Sequence, residues 1–86
     1  MTEGKDKDFV EFILANICAS PEKLRVNRTV DERGVLIEVE ADKDDMGTII
    51  GREGKTVEAL RTLLRVVGMK MNARVNLKII EPYKGY

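Results

Sequence analysis

Residues 49–57 read IIGREGKTV: two glycines three apart, a charge pair between them, and a lysine directly after. An apolar set, Met46, Ile49 and Ile50, stops at Gly51, and helical spacing resumes at Val57, Leu60, Leu63, Leu64 and Val67. Glycine in a helix interior costs about 1 kcal/mol relative to alanine, so Gly51 and Gly54 disfavour one continuous helix from 45 to 70. The stretch therefore predicts a short helix over about 44–50, a four-residue turn, and a second helix over about 55–70 that ends near Gly68 and Asn72. Asp44-Asp45 is expected to cap the short helix, and Arg61 and Arg65, a turn apart, fall on the solvent side of the long one.

Upstream, FVEFILANIC at 9–18 places Phe9, Ile13, Ile17 and Val10, Leu14, Cys18 on adjoining rows of a buried helical face. Asp8 with Glu11 three residues later has the spacing of a capping box, and Ser20-Pro21 is expected to end this helix. The period then changes to two. Leu24, Val26 and Val30 alternate with Arg25, Asn27 and Thr29, with Arg28 the one break on the apolar side; after the turn at 31–34, Val35, Ile37 and Val39 alternate with Leu36, Glu38 and Glu40. These read as a hairpin with one buried face, whose outer side offers Glu38 or Glu40 to Arg25. Val75, Leu77 and Ile79 give a third strand. The order helix, strand, strand, helix, helix, strand predicts an α+β two-layer sandwich, a three-stranded sheet with helices covering one face.

The 86 residues leave room for one domain, and 43% apolar content with two phenylalanines, two tyrosines and no tryptophan implies an aliphatic core. A lone cysteine, Cys18, excludes an intramolecular disulfide and reads as a structural thiol within a helical apolar pattern. No apolar run approaches the ~18 residues of a membrane span, and MTEGKDKD is unlike a signal peptide, so a cytoplasmic protein with no membrane association is expected. Histidine is absent, no serine stands near a plausible base, and cysteines are not paired, which argues against an enzyme, a metal site or a bound cofactor. The net charge of zero conceals a division. Residues 1–50 hold seven Lys/Arg against twelve Asp/Glu, a net of minus five, whereas 51–86 hold eight against three, a net of plus five. A basic half that begins at Gly51 points toward a polyanionic partner; a solvated surface of uneven composition gives the same count.

The glycine turn favours the polyanion. Without Cβ atoms its backbone can take φ > 0 and admit another molecule closely. The helix that starts there presents unpaired N–H groups and the positive end of its dipole, both suited to an anionic oxygen, with Arg52 and Lys55 beside them. A tight corner between two helices needs the same two glycines, so the spacing alone leaves both readings open. The context is more specific. Ile49, Ile50, Gly51, Gly54 and Val57, set between two helices in this element order, resemble the signature of the KH domain in its type II arrangement, over about residues 8–81 with short tails at 1–7 and 82–86. With DMGTIIGREGKTVEALRTLL at 45–64, the chain is similar to the small bacterial single-KH family.

That resemblance implies binding of single-stranded RNA, with the Gly-x-x-Gly turn on the backbone and bases in a narrow aliphatic groove. On this chain Gly51, Arg52, Glu53, Gly54 and Lys55 would meet phosphates, Ile50 and Val57 would form the groove floor, and Lys70, Asn72 and Arg74 would supply a wall. Glu53 departs from the family pattern by setting a carboxylate inside the turn. Phe9, Phe12, Tyr83 and Tyr86 lie at the chain ends, so stacking on rings, worth ~1–3 kcal/mol per base, is not expected. Binding should thus be weak and of low sequence preference. The resemblance further implies an RNA chaperone or post-transcriptional regulator that forms homodimers and pairs with a larger Jag-like KH protein in cell elongation and envelope homeostasis. The alternative is a dimerisation module with little direct RNA binding.

Overall fold

In a computed structural model describing residues 4–80, the chain forms α1 (Lys5–Ile17), β1 (Arg25–Asp31), β2 (Gly34–Glu40), α2 (Met46–Ile50), α3 (Lys55–Met71) and β3 (Val75–Ile79). The expected tail at 82–86 lies outside the described residues. The sheet order is β1-β2-β3. β1 runs antiparallel to β2 with Val26 opposite Val39, and β3 runs parallel to β2 with Leu77 opposite Ile37. A parallel neighbour requires a crossover, which α2 and α3 provide. This is the type II KH arrangement expected from the sequence.

The period-two reading sets the inner face of the sheet. Val26, Val35, Ile37, Val39 and Leu77 are buried beneath the helices, whereas Arg25, Asn27, Glu40, Asn76 and Lys78 face water. Arg25 does stand opposite Glu40, but no ion pair joins them among the described residues. From the helices, Val10, Leu14, Ile49, Val57, Leu60 and Leu64 complete the core. Leu63, expected among them, is 51% exposed. One residue is a rotation of about 100°, and the buried row of α3 runs through Val57, Leu60, Leu64 and Gly68 instead. At Gly68 the helix nearly touches the chain entering β3: a Cβ there would stand 2.7 Å from the Ala73 carbonyl oxygen.

Three local expectations yield to long-range partners. α1 begins at Lys5 behind Gly4, so residues 5–7 are helical rather than tail, and Asp8 lies within the first turn with its N–H donating to the Gly4 carbonyl at 2.9 Å instead of capping. The extension places Asp6, which is fully buried, against Arg28, whose Nε donates to Asp6 Oδ1 at 2.8 Å. Arg28 is thereby the charged break in β1: it enters the apolar side because a buried carboxylate awaits it. α1 stops at Ile17, before Ser20-Pro21, as Cys18 turns extended and Pro21 opens a 3₁₀ turn. What holds the chain there is Asp45. It occupies the N-cap position of α2, yet its two oxygens accept the Ala19 and Ser20 N–H groups at 2.8 and 3.0 Å, so the carboxylate caps the α1–β1 connection and not its own helix. Cys18, half-buried against the core, has its thiol pKa pushed up by burial and then by the Asp45 carboxylate, as suits a protonated structural side chain.

Candidate nucleic-acid interface

Between α2 and α3 three of four consecutive residues have positive φ: Gly51 at 80°, Glu53 at 57° and Gly54 at 77°. Gly51 also has ψ 171°, a combination essentially confined to glycine, and a Cβ there would collide with the side chain and N–H of Thr56. The turn is closed by Gly51 N–H to the Gly47 carbonyl at 2.8 Å, Gly54 N–H to the Gly51 carbonyl at 3.1 Å, and Lys55 N–H to the Arg52 carbonyl. The two glycines differ in surroundings. A Cβ at Gly54 would meet nothing within 4 Å, so Gly54 is required for its backbone angles alone and open space lies beside it.

α3 starts immediately after Gly54 and has no side-chain cap, so of its first-turn N–H groups that of Lys55 is taken by the Arg52 carbonyl and none has a side-chain acceptor. A 17-residue helix directs the positive end of its dipole at this point. Arg52 and Lys55 are exposed. Lys55 Nζ lies 4.0 Å from Glu53 Oε1, a solvent-exposed pair worth at most about 1 kcal/mol, and Arg52 has no ion pair among the described residues. Mobile cations, uncapped amides and an open backbone surface thus meet in one turn.

The remaining expected residues scatter. Ile50 is half-buried, and Val57 is 6% exposed within the core. Lys70 is exposed in the last turn of α3, and Asn72 is its left-handed cap with φ 57°. Arg74 lines an open depression of about 490 Å³ between α3 and β3, which Lys70 and Asn72 do not line. Its base is aliphatic, from Leu64, Met69, Val75 and Leu77, and its polar groups are Arg61, Arg65, Arg74 and Asn76. Helical spacing places Arg61 and Arg65 on the solvent side, and Arg65 is exposed while Arg61 is half-buried. That spacing marks them as one flank of α3, but only the packing of β3 along that flank makes it a wall. Asn76 gave no signal beyond its place on the outward row of a strand.

Among the described residues no helix is long and apolar enough to cross a membrane, and no cluster of histidine, cysteine or carboxylates could hold a metal ion. The family described as KhpA/KhpB, KH domain, matches residues 7–79. The chain is 39% identical to the RNA-binding protein KhpA of Chlamydia pneumoniae, across 87% of this chain and 96% of that protein. It is 37% identical to the RNA-binding protein KhpA of Aquifex aeolicus, across 87% and 95%, and 32% identical to that of Borreliella burgdorferi, across 91% and 95%. By the extent of these matches and by its fold, the chain belongs to the KhpA/KhpB family of KH domains.

Proposed function

We propose that this protein binds single-stranded RNA, gripping the sugar-phosphate backbone with the turn Gly51–Lys55 and directing bases toward the depression between α3 and β3. The observation that carries this reading is the Gly54 backbone, bare of neighbours, at the uncapped start of α3 between two exposed cations. Phosphate oxygens meet the first-turn amides of α3 while Arg52 and Lys55 neutralise their charge. Ile50 and Val57 support the floor, and Arg74 lies on the wall. Affinity is weak and sequence preference low, because among the described residues the depression holds no aromatic ring and Glu53 repels the strand it faces. The role is binding rather than catalysis: a cytoplasmic RNA chaperone or post-transcriptional regulator. It acts with a larger Jag-like KH partner in cell elongation and envelope homeostasis, and linking two weak sites raises avidity without new contacts. The family description, which joins KhpA with KhpB, supports pairing of this kind.

A second reading, a dimerisation module, draws on the exposed apolar side chains Phe12, Leu63 and Val66. The double substitution Arg52→Asp, Lys55→Asp separates the two. RNA affinity by fluorescence anisotropy should fall at least about 100-fold, since two charge-assisted contacts of ~1.5–3 kcal/mol each become repulsive. The wild-type salt dependence should be steep, losing about 0.7 of a log unit per phosphate contact for each decade of salt. Undiminished RNA binding by the double variant would overturn the phosphate-gripping turn, whereas a wild-type protein that fails to bind RNA would leave the dimerisation module.

A further inference from the structure

Arg61 has an unusual post. Its Nε and Nη2 both donate to the Leu77 carbonyl oxygen at 3.4 Å, and Nη1 donates to Glu58 Oε2 at 2.9 Å. In the parallel pairing of β3 with β2, Val35 N–H donates to the Arg74 carbonyl at 2.7 Å and Ile80 N–H donates to the Val39 carbonyl at 2.8 Å. Even-numbered residues of β3 therefore address β2, and Val75, Leu77 and Ile79 direct their backbone groups away from it. Among the described residues β3 has no strand on that far side. The Leu77 carbonyl is thus a free-edge acceptor, covered among those residues only by a guanidinium at distances longer than the usual 2.7–3.2 Å. Leu77 and Arg61 both line the depression, together with Arg65 and Arg74, and no carboxylate of the described residues lines it.

We infer that Arg61 is a base-reading residue, and that it selects guanine over adenine and uracil. This rests on the RNA-binding reading above. The planar fork of arginine presents two parallel donors, which match two adjacent acceptors. Guanine offers that pair on one edge, O6 and N7, whereas adenine sets an amino donor beside its N7 and uracil separates its two carbonyl oxygens by N3–H; cytosine offers a comparable pair, O2 and N3, so the selection runs against adenine and uracil. When the fork leaves Leu77 for O6 and N7, the uncovered carbonyl accepts the guanine N1–H, so the exchange strands neither group. Single-stranded RNA exposes both of these base edges to protein. Arg65 and Arg74 then serve the flanking phosphates. Arg61 follows Lys55 by six residues, about 9 Å along the helix, so the turn and the fork act on one strand.

The test uses the full chain and short labelled uridine oligomers in which a single guanosine, adenosine or 7-deazaguanosine is placed in turn at each position. Wild-type protein should bind the guanosine oligomer about tenfold more tightly than the adenosine one at one position, and 7-deazaguanosine, lacking N7, should lose most of that gain. Arg61→Lys keeps the charge without the fork: its affinity for plain oligouridine should stay within about twofold while the guanosine preference disappears. Equal wild-type affinities for guanosine, adenosine and 7-deazaguanosine at every position overturn the inference, as does an Arg61→Lys protein that retains the preference. The wild-type comparison needs no variant to fold. Failure of every oligomer to bind wild-type protein would instead remove the RNA-binding reading itself.

Discussion

The protein contains two tight turns with glycine at positive φ, and they treat their polar groups in opposite ways. In the β1–β2 hairpin, Asp31 Oδ1 accepts the Arg33 N–H at 2.8 Å while its Oδ2 faces Arg33 Nη2 at 3.3 Å, so the turn satisfies itself. In the turn between α2 and α3, no side chain caps the helix that follows, and the Arg52 guanidinium has no carboxylate partner among the described residues. A turn that only reverses the chain gains by pairing its donors internally. The turn proposed to hold RNA leaves donors over, and its stability comes from the core beneath it, Ile49, Val57 and Leu60.

The largest expected effect comes from closing the second turn. Gly51→Ala combines a glycine-only conformation with a collision against Thr56, and should lower stability by about 3 kcal/mol in urea denaturation, with RNA binding lost alongside. Gly54→Ala sharpens the contrast, because it meets no atom and strains only φ. A loss of about 1 kcal/mol is expected, with a proportionally greater loss of RNA affinity as the methyl fills the open space. An affinity unchanged in a folded Gly54→Ala protein would break the distinction between the two turns.

Removing the one carboxylate of the second turn should act the other way. Glu53→Gln frees Lys55 and takes a negative charge from beside the strand, raising RNA affinity about threefold at low salt, an effect of surface electrostatics that fades as salt rises. Asp31 supplies the smallest effect and the control. Its carboxyl is held below the ordinary value of 3.8, foremost by the Arg33 backbone N–H, so the folded pKa lies under the unfolded one. Its contribution is fully present above pH 3.8 and is lost as pH falls through the lowered folded value, whereas Asp31→Asn should remove this acid dependence from the unfolding midpoint and leave RNA affinity untouched.

Much of this was readable in advance because it depends on neighbours in sequence. Alternation in 24–40 and 75–79 defined the inner face of the sheet except at Val30, which is 61% exposed, and two glycines three apart marked the corner between α2 and α3. Errors arose where a side chain had a choice of partners. Asp8 has the spacing of a cap, but Asp6 found Arg28 and drew the helix start back to Lys5. Asp45 precedes a helix, yet a connection twenty-five residues earlier took both its oxygens. Helical periodicity placed Arg61 and Arg65 on the solvent flank of α3, where Arg65 is exposed and Arg61 half-buried, but it could not tell that β3 would pack along that flank.

Sequence alone determined the order of elements, the two periods, the basic second half and the backbone freedom at Gly51 and Gly54, since each follows from residue type and spacing. Tertiary structure decided which carboxylate caps which amide, why Arg28 enters an apolar row, and how Arg61 comes to lie across the free edge of β3. A buried or edge polar group takes the partner that packing brings within about 3 Å, and that partner can stand anywhere along the chain.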